Sequence, residues 1–242
     1  MNFHTRTIGL LIFFLLVYVT AFDFRADAQQ AIFNVPTTDI LDKGKVYLEL
    51  DAAFKPNNQE LVRRFSAFTP RAVFGVGGNV EIGLNVTGNV QPGADTTTLV
   101  TNIKWRFYQN KKKDAALIAG TNVFIPVRKR AYNIGNYSYI AGSKTFGGKT
   151  RLTAGAFHFS KNVVAPKAAR AGGQFGFEHF LNSKVTLAAD WFTGKHSNGY
   201  FTPGVIYKPH PKVTTYFSYQ IGNADAHRGN HFFLFEIGFN PN

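Results

Sequence analysis

Residues 97–108 read TTLVTNIKWRFY, and the two parities of this stretch differ in chemistry. Leu99, Ile103, Trp105 and Phe107 fall on one; Asn102, Lys104 and Arg106 fall on the other. Successive side chains of a β-strand point to opposite faces, so a period of two makes one apolar and one polar face. A helix would need apolar residues every three to four positions. Lys104 and Arg106 share one parity, a test that a random arrangement would often fail.

The same alternation recurs along the chain. Val46, Leu48, Leu50, Ala52 and Phe54 oppose Glu49 and Asp51. Val80, Ile82, Leu84 and Val86 oppose Glu81, Asn85 and Thr87. Val185, Leu187, Ala189 and Trp191 oppose Thr186 and Asp190, and Phe233, Phe235, Ile237 and Phe239 oppose Glu236. Twelve strands are predicted: 46–54, 66–76, 80–88, 97–108, 115–125, 136–146, 150–160, 172–180, 185–193, 200–208, 213–221 and 231–239. Pro70 and Pro203 lie inside two of them, where each removes a ladder donor.

Composition narrows the class. The chain has 242 residues and no Cys, which excludes a disulfide scaffold, a thiolate metal site and a Cys nucleophile. Charged residues are 17%, while Phe occurs 25 times and Gly 23 times. Lys plus Arg number 27 against 14 acids, a formal charge of +13. Nucleic-acid binding is not expected, because so basic a module would carry more charge and fewer Phe. Residues 1–28 read as a secretory signal peptide: a short basic start, the apolar run IGLLIFFLLVYVTAF, and a small-x-small end at Ala26-Asp27-Ala28. Residues 29–45 read as a periplasmic lead-in with no domain of its own, and 46–242 as the barrel.

Connections alternate in length. Those at 77–79, 147–149 and 181–184 are tight, whereas 55–65, 126–135 and 161–171 are long. Aromatics cluster near both ends of the apolar faces, with Phe74, Trp105, Phe107, Tyr207 and Phe239 at the tight ends. Phe54, Phe68, Tyr137, Trp191, Phe201 and Tyr219 sit at the others. Two such girdles, an even strand count and short turns on one side fit an all-β chain forming a single antiparallel transmembrane barrel with both termini periplasmic. Together with the leader and the last strand, this pattern resembles small Gram-negative outer-membrane β-barrels over 46–239. NVEIGLNV and FTPGVIYKP are similar to stretches of channel proteins associated with aromatic-degradation pathways. The resemblance implies outer-membrane localisation, insertion by the barrel-assembly machinery, and contact with lipid and lipopolysaccharide.

The polar face would line the lumen with Glu49, Asp51, Glu81, Glu178, Asp190 and Glu236, and with Arg71, Lys104, Arg106, Lys144 and Arg151. Folding the hairpin about residues 91–96 sets Glu81 beside Lys104. Eight strands give a filled barrel and sixteen an open channel, so twelve leaves both a pore and a plugged structural or adhesive barrel open. The pore reading is a channel, porin-like, for passive passage of small hydrophilic solutes. The long loops add a basic mouth that includes Arg63, Arg64, Arg128, Lys129, Arg130, Lys167 and Arg170, which favours anions. No cofactor is expected, and no His pair has metal-ligand spacing. A third reading is an acyl-ester hydrolase. His158-Phe159-Ser160 resembles the His-x-Ser pair of outer-membrane phospholipases and lipid A deacylases, which implies His158 as base and Ser160 as nucleophile. Lys161 stands where that pattern has Asn. Lys195-His196-Ser197-Asn198-Gly199 has the Asn-Gly ending but sets His and Ser on opposite faces.

Overall fold

A computed structural model describes residues 30–56, 65–87, 97–127, 133–223 and 231–241. Twelve strands follow in chain order: β1 (Val46–Lys55), β2 (Phe65–Gly77), β3 (Val80–Thr87), β4 (Thr98–Asn110), β5 (Ala115–Pro126) and β6 (Gly135–Phe146). They continue as β7 (Thr150–Phe159), β8 (Ala171–Phe180), β9 (Val185–Phe192), β10 (Tyr200–His210), β11 (Val213–Gly222) and β12 (His231–Phe239). Each pairs with its sequence neighbours, and β1 pairs antiparallel with β12, which closes the barrel. Closure satisfies the backbone without water, as a lipid environment requires.

The tight turns use residues that tolerate positive φ. Gly147 and Gly148 have φ of 57° and 65°, the two-residue turn whose twist matches that of antiparallel strands. Pro203 interrupts the β10–β11 pairing between Phe201↔Ile221 and Gly204↔Ser218 without changing its register, whereas Pro70 keeps its place opposite Leu50. The outer surface is apolar: Leu48, Leu50, Ile82, Leu84, Ile103, Trp105, Leu187, Trp191, Phe217 and Ile237 are all exposed. This belt with charges turned inward is the architecture of a transmembrane β-barrel. Of the expected girdle, Tyr137 departs: it faces inward and is buried.

The interior holds a second element. The lead-in does not stay outside the barrel: Gln30–Leu41 folds into the lumen as a small hairpin, with Ala31 bridged to Pro36. Ile32 N–H donates to Val35 O at 3.0 Å and Thr37 N–H to Gln30 O at 3.2 Å. Ile32 and Val35 are 0% exposed. Ile32 and Phe33 pack on Ala188, Ile206, Tyr216 and Leu234. Val35 packs on an aromatic wall of Tyr137, Tyr139, Phe157, Phe159 and Phe192. The barrel wall is thinned to receive this insert: a Cβ on Gly176 would lie 2.2 Å from Cδ1 of Ile32. The chain leaves through the short-turn end, where Gly44 N–H donates to Gly75 O at 2.8 Å, and enters β1.

Candidate functional site: the lumen and its hairpin

Asp190 holds the tip of the hairpin. Its Oδ2 accepts three consecutive backbone N–H groups, from Phe33 at 3.0 Å, Asn34 at 2.5 Å and Val35 at 2.8 Å. Three amides converging on one carboxylate form an anion-binding nest, here filled by the barrel's own side chain. Asn34 extends the latch, donating to Thr202 Oγ1 at 3.1 Å and accepting from Gln220 Nε2 at 3.0 Å.

The hairpin stem is held by ion pairs. Lys104 Nζ lies 2.9 Å from Glu81 Oε1 and donates to Gln30 Oε1 at 3.2 Å, while Glu81 also accepts from Leu41 N–H at 2.9 Å. Arg151 binds Glu178 through Nε at 2.6 Å and Nη2 at 2.7 Å, and Asp39 of the stem through Nη1 at 2.8 Å. Such two-pronged guanidinium–carboxylate pairs fix geometry as well as charge. Thr38 shares a short hydrogen bond with Ser143 of β6.

A third group lies on β12, β1 and β2. Arg71 reaches Glu49 Oε1 at 2.6 Å and Asp51 Oδ2 at 3.1 Å, Tyr47 Oη donates to Glu49, and Glu236 stands across from Asp51. Beside the hairpin a cavity of about 440 Å³ remains, lined by Asp51, Arg71, Glu81 and Lys104 below and by Thr87, Phe124, Phe159, Ser197, Asn198 and Tyr200 towards the long-loop end.

The predicted lumen charges therefore separate. Glu49, Asp51, Arg71, Glu81, Lys104, Arg151, Glu178, Asp190 and Glu236 converge inside the barrel. Arg106 is at the short-turn rim, donating to Asn79 Oδ1 at 3.1 Å. Lys144 is not in the lumen: it is exposed on the outer face with its ammonium 5.0 Å from the Phe146 ring. Neither parity of β6 is cleanly apolar, and Tyr137 and Tyr139 turn inward to pack on Val35, which sets Lys144 on the opposite, outer face. A long stem with a charged end can lie along apolar surface there and reach the polar boundary. Among the basic-loop residues, Lys167 and Arg170 are exposed on the β7–β8 connection, whereas Arg63, Arg64, Arg128, Lys129 and Arg130 lie outside the described residues.

The hydrolase candidates do not come together. His158 is exposed on the outer face, while Ser160 Oγ accepts the Asn136 N–H at 2.9 Å. Among the described residues no hydrogen bond joins the two. His196 is buried against Phe157 and Phe159, with Nε2 2.7 Å from Thr193 O, and Ser197 beside it lines the cavity. The residues that sequence reasoning missed are Gln30, Asn34, Asp39 and Leu41. A cue was present in Ile32, Phe33 and Val35, three apolar residues in a segment that reads as a periplasmic lead-in.

No family model matches the chain, and no curated protein matches it. Among solved structures it is similar to an outer membrane channel from Pseudomonas putida F1, at 12% identity and TM-score 0.45, covering 83% of this chain and 96% of that one. It is similar to the outer membrane phospholipase A of Escherichia coli, at 15% identity and TM-score 0.46, with coverage of 84% and 94%. It is also similar to a toluene transporter of Ralstonia pickettii, at 9% identity and TM-score 0.45, with coverage of 83% and 90%. These are distant likenesses, and the chemistry of the lumen has to be read from its own residues.

Proposed function

We propose that the protein sits in a Gram-negative outer membrane and forms a passive channel for small hydrophilic solutes, narrowed by its own N-terminal hairpin. The observation that carries this reading is the cavity of about 440 Å³ beside the hairpin, which is too large and too polar to be a packing defect. Its floor is the hairpin itself, so passage requires the hairpin to shift.

Any anion preference arises at the rim. Lys161, Lys167, Arg170 and Lys195 are exposed there, and the same charges would hold lipopolysaccharide phosphates. Inside, Lys144 is lost from the lumen and Asp39 is gained, so the interior is more acidic than the strands alone imply. Insertion belongs to the barrel-assembly machinery on this reading. The second reading, a plugged structural barrel, is favoured by the ion pairs that hold the hairpin stem.

Planar-bilayer recording of the mature chain, and of the same chain lacking residues 30–41, separates these readings. The channel reading expects small steps from the first and larger steps from the second, with a reversal potential shifted towards anions at low salt. Steps only from the shortened chain make it a plugged barrel, and silence from both overturns the channel.

A further inference from the structure

The three ionic groups of the lumen are not equally balanced. Glu81 has Lys104, Glu178 and Asp39 share Arg151, and Asp190 has three amides. Glu49 and Asp51 share Arg71, and Glu236 stands across from Asp51. Register makes this arrangement unavoidable. Glu49 and Asp51 are two apart on the inner face of β1, Asp51 faces Glu236 in β12, and Glu49 faces Arg71 in β2. Like charges directly opposite one another on adjacent strands repel.

Glu236 shows that the network is incomplete. It is 2% exposed, its Oε1 accepts no hydrogen bond, and it is aimed at the other two carboxylates. Asp51 Oδ1 is likewise buried without a hydrogen-bond donor. One oxygen from each of the three residues can be chosen so that all lie within 4.8 Å of one another. Asp51 and Arg71 also line the cavity, so the cluster can be reached from the long-loop end.

We propose that Glu49, Asp51 and Glu236 form a binding site for a divalent, oxygen-preferring cation of the calcium type at the wall of the lumen cavity. Three carboxylates and one guanidinium leave a charge of −2, which one divalent ion neutralises. Calcium is favoured over magnesium because it accepts the irregular, partly hydrated shell that three carboxylates beside a cavity would give, whereas magnesium demands a near-ideal octahedron. Arg71 remains paired with Glu49 and orients it. No local spacing in the sequence reveals this site, because its ligands come from strands at opposite ends of the chain.

The test does not depend on conductance. Terbium replaces calcium at oxygen sites, and the phenols of Tyr47, beside Glu49, and Tyr216, opposite Glu236, are placed to sensitise its emission. The mature chain refolded in detergent should give saturable, tyrosine-excited terbium emission with one ion per chain, displaced by calcium and displaced poorly by magnesium. Glu236→Gln should weaken binding at least tenfold while keeping the β circular dichroism of the parent. If that variant fails to fold, Asp51→Asn is measured in its place, with the same loss expected. Absence of saturable emission from the parent, or affinity unchanged in the folded variant, overturns the site and means that the cluster is neutralised by protons instead.

Discussion

The two walls of the lumen treat buried charge in opposite ways. On β7, β8 and β9, Arg151, Glu178 and Asp190 meet partners supplied by the hairpin and by one another. On β12, β1 and β2, Glu236, Asp51 and Glu49 crowd around a single guanidinium, and carboxylate oxygens are left without donors. A buried charge without a partner is costly, whereas one met by several donors is stable. The first wall is built to hold the protein's own chain. The second faces a cavity and is built to hold something that is not the chain.

The same chemical change should therefore act with opposite sign on the two walls. Asp190→Asn removes the charge that three amides converge on, and a hydrogen bond to a charged group contributes about 1.5–3 kcal/mol. Part of that bonding survives on the amide oxygen, so we expect a loss of about 2–4 kcal/mol of hairpin docking. Because the chain contains no Cys, a single Val35→Cys substitution, which keeps the backbone N–H on Asp190 at a fully buried position, gives a specific probe. The thiol should label slowly in the parent and at least tenfold faster with Asp190→Asn. Asp51→Asn, measured without added divalent cation, should leave the thermal transition unchanged or raise it, since it relieves like-charge repulsion. Equal destabilisation by both changes would erase the contrast between the walls.

A smaller effect probes the fit of the hairpin to the first wall. Gly176→Val should cost about 1–3 kcal/mol, the usual penalty for overpacking a filled interior. The clash is with Ile32 Cδ1, so Ile32→Ala should restore much of the loss. A thermodynamic cycle on the four proteins should give a coupling of about 1 kcal/mol or more. Independent effects would mean that the hairpin is not seated against β8.

Much of the barrel was legible in the sequence, and the illegible part has physical causes. Strand number and position follow from a period of two, which local chemistry enforces wherever one face meets lipid. Each of the twelve strands lies within two residues of its predicted bounds. The Glu81–Lys104 pair followed from hairpin register alone. The hairpin in the lumen did not, because an insert of Gln30–Leu41 has no periodic signature and the contacts that latch it are with residues far along the chain, such as Asp190 and Arg151. The carboxylate cluster was invisible for the related reason that closure of β1 on β12 brings Asp51 to Glu236. Strand β6 failed where local chemistry is ambiguous: Tyr137, Tyr139 and Ser143 on one parity face Ile140, Lys144 and Phe146 on the other. Polar and apolar residues occur on both, and the hairpin decides which turns inward.

Lys144 gives the smallest effect and the sharpest check on that reversal. A lysine in the lumen would be an eleventh inner charge with partners to lose, and Lys144→Gln would then destabilise the barrel and move its ion selectivity. On the outer face its ammonium lies 5.0 Å from the Phe146 ring. An exposed cation–π contact contributes about 0.5–1 kcal/mol, and surface substitutions are usually within about 0.5 kcal/mol. Lys144→Gln should therefore shift the detergent thermal transition by no more than a degree or two and leave the reversal potential where it was. Its one visible consequence should be at the membrane boundary. An ammonium on a long stem at the short-turn end can reach lipid phosphates, and a glutamine cannot carry that charge. Binding of the refolded barrel to anionic over zwitterionic lipid should fall slightly, by about the 1 kcal/mol that one surface cation contributes. A selectivity change as large as that of a lumen variant would return Lys144 to the inside and reverse the face of β6.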